Sequence, residues 1–290
     1  MTSFGKRLKV ESPLTIQSIL QNSVLPDRIC IVISIYDKDN VPKEFLNNPL
    51  IEIIYTEQDY KSHNKYYHTM LKYPEDVIIT IDDDIIYPKS FVEYCINSYL
   101  CNPNVINACR VHKIKYKDGV LLPYKQWEWE SKEEGASYNL FFTGVGGVVY
   151  PPNILRIDSL DINMIYDYIR VDDILLNYLC RVHKVKIKRI PIKEEYKDIH
   201  KITNKPMLSR LNVSLYNDIY LNKIGFNDLN NKNMEVKEIK KKEENPLNKV
   251  LENVKKDNQV KPVFNMQEMI ERFRQKIKER QSGTTVEKKV

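Results

Sequence analysis

The chain has 290 residues, of which 42% are hydrophobic and 29% charged, enough for one large domain with an appendage. Residues 226–290 hold 16 Lys and Arg against 11 Asp and Glu, whereas residues 1–225 hold 29 against 28. The formal charge of +6 therefore belongs almost entirely to the tail. A nucleic-acid-binding domain normally carries a basic face of its own, so the composition argues against nucleic acid as a partner.

The cysteines form neither a CxxC pair nor a zinc spacing, and their odd number is typical of reduced thiols in a cytoplasmic protein. No apolar run approaches the roughly 18 residues of a membrane span, and no signal peptide is recognised. We therefore expect a cytoplasmic protein that at most lies peripherally on the inner membrane face. The cysteines are Cys30, Cys95, Cys101, Cys109 and Cys180.

Apolar strands alternate with helices along the chain, which predicts an α/β fold with a mostly parallel sheet flanked by helices. Ser12-Pro13 predicts the start of the first helix, with Ser12 as its N-cap. The later predicted elements are strands 28–34 and 51–55, helix 64–73, strand 77–81, helix 90–100, strand 105–109, a glycine-interrupted strand 140–150, helix 172–183, strand 185–190 and a closing helix 207–224.

Three consecutive aspartates, Asp82, Asp83 and Asp84, directly follow the most apolar predicted strand. In an open α/β sheet, ligands bind outside the carboxyl ends of the strands. Adjacent carboxylates repel one another unless a cation neutralises them, and such hard oxygen ligands suit Mg²⁺ or Mn²⁺. The segment is therefore either a site for a metal ion and a diphosphate or a solvated acidic turn that caps the next helix.

An ordered series of short segments surrounds these aspartates over residues 2–190. The series comprises Thr2-Ser3-Phe4, Arg7, Ser18 to Gln21, Pro26-Asp27, Lys61-Ser62, Lys65, Thr80 to Pro88, Thr143 to Gly147, Tyr150-Pro151-Pro152 and Asp172-Asp173-Ile174. In this order it resembles the bacterial glycosyltransferases of the GT-A fold, whose acidic segment is called the DXD motif. The resemblance implies a metal-dependent enzyme that moves a sugar from a nucleotide-sugar donor to a glycan or other hydroxyl acceptor. It favours inversion at the sugar, in surface or capsular polysaccharide synthesis.

The resemblance also implies roles for individual residues. Asp82 would lie toward the ribose or base, and Asp84 would ligate Mn²⁺ or Mg²⁺, with Asp83 supporting it and Asp82 as a further candidate ligand. The ion would act as a Lewis acid on the leaving nucleoside diphosphate. Arg7 and Lys65 would add positive charge to the nucleotide-sugar site. For Lys65, a surface lysine on a helix is an equal alternative.

A later carboxylate pair, Asp172 and Asp173, matches the general base that removes the acceptor proton in inverting members. Both residues also begin a predicted helix, where Asp is favoured by the helix dipole, so one of them is alternatively only a cap. The glycines at 144–147 allow the backbone to approach a ligand closely, and the resemblance places Gly146 and Gly147 at the nucleotide sugar. The alternative for them is a β-bulge or tight turn.

Ring side chains supply two further groups of candidates. Tyr124, Trp127 and Trp129 either stack on sugar rings of the acceptor or belong to the core. Among the histidines, His200 is the candidate for a further metal ligand because it lies beyond the late carboxylates, and a local structural role is its alternative. We expect surface or locally hydrogen-bonded roles for the others, which are His63, His68, His112 and His183.

Two other function classes remain open. A sugar-nucleotide pyrophosphorylase normally carries a glycine-rich phosphate loop near its N-terminus, where this chain has only Gly5. A non-catalytic carbohydrate- or cation-binding module on the same fold would not need the second acidic pair. The resembling enzymes also begin with a buried strand before the Thr-Ser segment. Here Met1 directly precedes that segment, so either the chain is truncated or another segment fills the place.

The composition shifts to Asn, Lys and Glu after residue 225. We therefore expect a GT-A-like catalytic domain at 1–225, a charged linker at 226–263, and an amphipathic helix with a tail at 264–290. One stripe of that helix holds Met266, Met269, Ile270, Phe273 and Ile277. Such a helix mediates self-association, a partner contact or membrane-surface attachment. Its acidic residues dilute the basic face and so favour a homo-oligomer.

Overall fold

The structure is a computed structural model, and it describes residues 1–199 and 216–227. The predicted linker from residue 228 onward, the predicted helix within 264–290 and His200 lie outside the described residues. The same holds for the first half of the predicted closing helix 207–224, whose described part is α7, Asn217–Lys223.

The described residues form short helices and strands in alternation. The other helices are α1 (Arg7–Leu20), α2 (Lys43–Leu46), α3 (Tyr67–Lys72), α4 (Phe91–Cys101), α5 (Ile162–Asp167) and α6 (Asp172–Val182). The 3₁₀ helices are Ile35–Asn40, Lys61–Lys65, Tyr124–Gln126 and Ile157–Ser159. The strands are β1 (Ile29–Ser34), β2 (Ile51–Thr56), β3 (Ile78–Thr80), β4 (Ile85–Ile86), β5 (Ile106–Ala108), β6 (Val111–Lys113), β7 (Tyr116–Lys117), β8 (Val120–Leu121), β9 (Leu140–Phe142), β10 (Val148–Tyr150), β11 (Ile187–Arg189) and β12 (Lys197–Asp198).

The fold is mixed α/β, and its main sheet has the strand order β11-β5-β10-β3. Strand β10 runs antiparallel to both β3 and β5, whereas β11 runs parallel to β5. Strands β1 and β2 form a separate parallel pair, and the other pairs, β12-β4, β6-β9 and β7-β8, are antiparallel. The prediction of a mostly parallel sheet is therefore wrong for the described residues.

The glycine-rich segment at 144–147 is the physical reason for this difference. Gly146 and Gly147 adopt φ angles of 83° and 112°, which ordinary side chains rarely tolerate. The predicted strand 140–150 is broken there into two strands. Strand β9 pairs with β6, and β10 enters the main sheet in the reverse direction. A pattern of apolar residues does not record such a reversal, because each half still has the composition of a strand.

Strand β10 separates two hydrophobic clusters. The side chains of Val148 and Tyr150 belong to one cluster, which includes α6 residues such as Leu175. The side chain of Val149 belongs to the other, which contains α4 residues such as Phe91. Successive side chains of a strand point to opposite faces, so the main sheet is covered on both sides. This double cover holds the strand ends that carry the site.

Helix α1 begins at Arg7, five residues before the predicted start at Ser12. Pro13 consequently lies inside the helix, where it removes one hydrogen bond of the backbone ladder. The buried side of the helix, which includes Leu8 and Ile16, packs in the second cluster and offsets that loss. The earlier start matters because it fixes Arg7 at the first turn of a packed helix.

The first residues of the chain lie beside β1. The Val32 backbone N–H donates to the Met1 carbonyl at 2.9 Å, and Thr2 forms a parallel bridge with Val32. This pairing leads the chain into Ser3 and then into α1. None of the helices in residues 1–199 and 216–227 has the length and apolarity that a membrane crossing requires.

Candidate functional site

Asp82 lies just beyond the carboxyl end of β3, as predicted, and its position is fixed from two sides. Its backbone N–H donates to the hydroxyl of buried Tyr87 at 2.9 Å. Its carboxylate oxygen Oδ2 accepts the Gly146 backbone N–H at 3.0 Å. The turn before β10 is thereby joined to the first aspartate of the acidic segment.

Asp83 and Asp84 share one cation. The Arg7 Nη2 atom lies 2.6 Å from Asp83 Oδ1 and 2.5 Å from Asp84 Oδ2. The Ser3 hydroxyl also donates to Asp83 Oδ2 at 2.6 Å. Burial raises the pKa of Asp83 above its ordinary value, while the Arg7 guanidinium and the Ser3 hydroxyl oppose that rise. The start of α1 therefore supplies part of the countercharge that the acidic segment needs.

Lys65 supplies the rest of the countercharge, from the end of the 3₁₀ helix Lys61–Lys65. Its Nζ atom donates to Asp82 Oδ1 at 2.5 Å and to the Gly144 carbonyl at 3.4 Å. Burial alone would lower the Lys65 pKa, but the carboxylates of Asp82 and Asp172 raise it above its ordinary value. The alternative of an exposed surface lysine is wrong, since only 14% of the side chain is exposed.

The late carboxylates lie in the first turn of α6, where they also interact favourably with the helix dipole. A Cβ atom on Gly144 would lie 3.6 Å from both Asp172 Oδ2 and Lys65 Nζ. Asp172 therefore flanks the same short backbone segment as Lys65. The two acidic segments, 90 positions apart in sequence, meet at this lysine.

The amide of Asn177 docks α6 onto β9. Its Oδ1 accepts the Phe142 backbone N–H at 3.0 Å, and its Nδ2 donates to the Phe142 carbonyl at 2.8 Å. The same Nδ2 donates to the Asp173 carbonyl at 2.7 Å. Because β9 continues into the glycine segment, this single buried side chain sets the position of the late carboxylates relative to Gly144.

Asp173 lies in surroundings that disfavour its charged form. Burial and the neighbouring Asp172 carboxylate raise the pKa of Asp173 to about 7, against the ordinary 3.8. Arg110 and Lys65 lie close enough to oppose part of that rise. A carboxyl group with such a pKa changes its charge near neutral pH, which is the range in which a general base is most effective.

His63 connects the two sides of the site without touching either acidic segment directly. Its Nδ1 lies 2.7 Å from the Tyr66 hydroxyl, and its Nε2 lies 2.9 Å from the Tyr168 carbonyl. A carbonyl only accepts, so Nε2 carries the proton and Nδ1 accepts from Tyr66. Burial lowers the His63 pKa, which keeps the ring neutral. The helix that carries Lys65 is thus tied to the segment just before α6.

The structure gives the two predicted glycines different surroundings. The N–H group of Gly146 points to the Asp82 carboxylate, at the site itself. A Cβ atom on Gly147 would lie only 2.7 Å from two carbon atoms of the Phe91 ring. Gly147 is therefore required by packing against α4, and its role at the nucleotide sugar stays a prediction.

A metal ion fits this segment only if the protein supplies some of its ligands and other molecules supply the rest. In residues 1–199 and 216–227, no three His, Cys, Asp or Glu side chains are grouped as an all-protein metal cage requires. Mg²⁺ is usually held by one or two carboxylates, with water and substrate phosphates completing its shell. Asp84 and Asp82 fit that donor set, provided that the donor's phosphates supply the remaining ligands. The chain's own cations, Arg7 and Lys65, already neutralise much of the acidic charge.

His200 is the predicted metal ligand that lies outside the described residues. The residue before it, Ile199, donates its backbone N–H to the Asp84 carbonyl at 2.9 Å. Strand β12 pairs there with β4, which directly follows the acidic segment. The described chain thus runs beside Asp84 up to residue 199, and a metal-binding role for His200 stays a prediction.

The aromatic candidates separate into core and surface. Tyr124 and Trp127 are buried, with 3% and 4% of their surface exposed, so the core alternative holds for them. Trp129 is 40% exposed. The histidines that were expected to be locally bonded include His63 and His112, and both make hydrogen bonds within the fold.

Sequence reasoning missed several residues that shape the site. The Ser3 hydroxyl and the Tyr87 hydroxyl both bind the acidic segment, and Asn177 fixes the late carboxylates. Tyr87 stood within the quoted DXD region, and its spacing from Asp82 was the only available signal. Nothing in the local sequence marks Asn177, because the residue that it binds outside its own helix, Phe142, lies 35 positions earlier on β9.

Comparisons with known proteins leave the chain without a family. No protein-family model matches it, and no curated protein matches it. Among solved structures, a similar one is that of a Bacillus anthracis protein assigned as a glucose-1-phosphate thymidylyltransferase, determined in complex with sucrose. It is 12% identical, the match covers 68% of this chain and 86% of that chain, and the TM-score is 0.34. A likeness this weak carries no conclusion about activity.

Proposed function

We propose that this chain is a glycosyltransferase that takes a nucleotide sugar as donor and transfers the sugar to a hydroxyl group of a glycan. The observation that carries the proposal is the meeting of both acidic segments at Lys65. A carboxylate that holds the donor and a carboxylate that activates the acceptor need to be neighbours for a direct transfer. Here they are neighbours although they come from distant parts of the chain.

The donor side of the site is the acidic segment with its two cations. Arg7 and Lys65 lie at its carboxylates and are placed to exchange some of that contact for the phosphates of a bound nucleoside diphosphate. Asp84, with Asp82, would hold Mn²⁺ or Mg²⁺. When bound, such an ion stabilises negative charge on the leaving diphosphate. Gly146 keeps the Asp82 carboxylate oriented through its backbone N–H.

The acceptor side is the first turn of α6. The acceptor hydroxyl oxygen attacks carbon 1 of the donor sugar, the bond from carbon 1 to the phosphate oxygen breaks, and the hydroxyl proton passes to a carboxylate. Asp173 suits that last role because its raised pKa allows it to accept a proton near neutral pH. Attack from the side opposite the leaving diphosphate inverts the sugar configuration.

A sugar-nucleotide pyrophosphorylase is the second candidate, and it is the class assigned to the Bacillus anthracis protein. In that reaction, the nucleophile is the phosphate group of a sugar phosphate, which is already ionised. No proton needs to be removed, so a carboxyl group with a pKa near 7 has no evident task there. This chemical difference provides the test between the two.

The setting of the reaction rests on the resemblance of the sequence segments alone. It supports a bacterial enzyme of surface or capsular polysaccharide synthesis that works on the cytoplasmic side of the membrane. A non-catalytic binding module is the remaining alternative, and it is disfavoured because a binder has no use for a base beside the donor site.

The two enzymatic candidates release different products. The protein is incubated with a panel of nucleotide sugars, and release of nucleoside diphosphate is measured. In parallel, nucleoside triphosphates with sugar phosphates are tested for release of pyrophosphate. The transferase predicts diphosphate release, which occurs slowly by hydrolysis without acceptor. Pyrophosphate release alone would establish the second candidate, and no release of either would leave the binding module.

Asp173→Asn and Asp167→Asn form the matched pair of variants. We expect Asp173→Asn to lower transfer by about 100-fold or more, because general base catalysis contributes on that order. The exposed Asp167, at the end of α5, pairs with Lys223 on the surface and should be neutral when changed. In the unmodified protein, kcat/KM should fall as pH drops below about 7.

A further inference from the structure

Trp129 forms an exposed aromatic platform on two buried rings. Its ring packs on the His112 ring at 4.9 Å between centroids with planes 30° apart, and it meets the Tyr124 ring edge-on at 5.6 Å. Both supporting rings are buried, whereas Trp129 keeps 40% of its surface exposed. One side of the indole is therefore supported by the core while the rest remains accessible.

The turn that carries Trp129 is held rigidly. Lys113 and Glu128 exchange two backbone hydrogen bonds, of 2.8 and 3.0 Å, just before the turn. The Glu130 backbone N–H donates to His112 Nδ1 at 3.0 Å. Glu130 has a φ angle of 51°, a conformation that costs a residue with a side chain about 1 kcal/mol or more. Residues held in such conformations cluster at binding sites, where the surrounding structure fixes a side chain in a useful direction.

A charged pair borders the platform. The Arg110 Nε atom lies 3.1 Å from Glu130 Oε1, and the two side chains are 32% and 63% exposed. Arg110 opposes part of the rise in the pKa of Asp173, and burial together with the Asp173 carboxylate raises the pKa of the Tyr124 hydroxyl. The pair is thus next to the exposed indole in the chain, and its cation acts on the charge of the proposed base.

We propose that Trp129, Glu130 and Arg110 form a subsite for a pyranose ring of the acceptor. The apolar C–H face of the sugar would stack on the indole, while Glu130 accepts from and Arg110 donates to its hydroxyl groups. A single exposed Trp is common on protein surfaces. The two buried rings beneath the indole and the adjoining charged pair are what distinguish this one. The assignment of the sugar as acceptor rests on the proposed function, whereas sugar binding at Trp129 does not.

Saturation-transfer NMR with simple methyl glycosides tests the subsite. The panel holds methyl glucoside, galactoside, mannoside and N-acetylglucosaminide, each with and without UDP, GDP or CDP and Mn²⁺. We expect at least one glycoside to receive saturation on the C–H protons of one ring face. Trp129→Ala should weaken that binding by about tenfold, and Trp129→Phe should retain most of it because a ring remains.

Two controls separate this idea from the proposed function. Nucleotide binding, followed by thermal shift in the same variants, should not change in Trp129→Ala, because the indole contacts none of the aspartates at 82–84. Glu130→Gln keeps the side-chain shape and should weaken glycoside binding while leaving nucleotide binding intact. Absence of binding by every glycoside, or equal binding by Trp129→Ala, would overturn the subsite even if transfer itself were demonstrated.

Discussion

Lys65 Nζ lies 2.5 Å from Asp82 Oδ1, and both side chains are 86% buried, since each is only 14% exposed. This contact joins a 3₁₀ helix to the carboxyl end of β3, an edge strand of the main sheet. A buried ion pair is a poor source of stability in itself, but removal of one partner leaves an unpaired charge. The lysine is therefore both a candidate ligand-binding group and the structural neutraliser of its site.

Lys65→Met should lower the free energy of unfolding by about 2–4 kcal/mol at neutral pH, because the Asp82 carboxylate loses its partner in a site of limited solvation. Urea denaturation measures the change. Lys61→Met is the matched control from the same 3₁₀ helix. Lys61 pairs with Asp59 on the surface, where both side chains are about half exposed or more, so that change should cost under about 1 kcal/mol.

The double variant Lys65→Met/Asp82→Asn tests whether the two side chains are energetically coupled. Removal of both charges should recover part of the loss, because the uncompensated carboxylate is then gone. If the double variant lost as much free energy of unfolding as the two single variants together, Lys65 and Asp82 would not be coupled, which would contradict their contact in the structure.

Gly147→Ala should destabilise the fold by about 1–3 kcal/mol, since the new methyl group would meet the Phe91 ring at 2.7 Å in a backbone with φ of 112°. Thermal or urea unfolding gives the value. Gly119→Ala isolates the backbone strain, because Gly119 has φ of 77° and open space around it. Gly135→Ala, without either feature, should be neutral. A cost for Gly147 no larger than that for Gly119 would contradict the packing role.

Asp173 gives a pH-dependent prediction for stability. Its folded pKa of about 7 is above the ordinary 3.8, so the folded state binds more protons than the unfolded state between these values. Stability contributed by this group is therefore full below about pH 4 and is lost as pH rises toward 7. Asp173→Asn cannot ionise and should be more stable than the unmodified protein at pH 8, by about 1–3 kcal/mol.

The free energy of unfolding of the unmodified protein and of Asp173→Asn is measured by urea denaturation at several pH values between 4 and 8. The stability difference between them should be small near pH 4 and should grow to its full size by pH 8. A difference that stays constant over this range would show that Asp173 ionises normally in the folded state.

The longer elements of residues 1–190 could be predicted because these strands have continuous apolar runs and these helices periodic ones. The short elements α2, α5 and β6 to β8 were not predicted. The direction of β10 could not be predicted, since the reversal depends on Gly146 and Gly147 and on the space beside Phe91. The start of α1 was misplaced for a related reason. Local signals at Ser12 and Pro13 predicted a cap, while packing of Leu8 in the core extended the helix to Arg7.

The acidic residues of the candidate site could be named from sequence because an ordered series of segments surrounds the carboxylates that follow an apolar strand. Their partners were harder to identify. The sequence named Arg7 and Lys65 as cations of the site but did not say which carboxylates each would contact, and the structure shows Arg7 at Asp83 and Asp84. The sequence also left Trp127 and Trp129 with the same two alternative roles. Their burial, which only the structure shows, makes Trp127 a core residue and Trp129 a surface residue.

Thermal shift with UDP, GDP and CDP, each with and without Mn²⁺, is the most direct test of a metal-dependent nucleotide site. It is performed on the unmodified protein, on Asp84→Ala and on the exposed control Asp167→Asn. The account predicts that one nucleotide raises the Tm by several degrees at saturating concentration, only with Mn²⁺, and that Asp84→Ala alone abolishes the rise. No rise with any nucleotide, or a rise that Asp84→Ala retains, would contradict it.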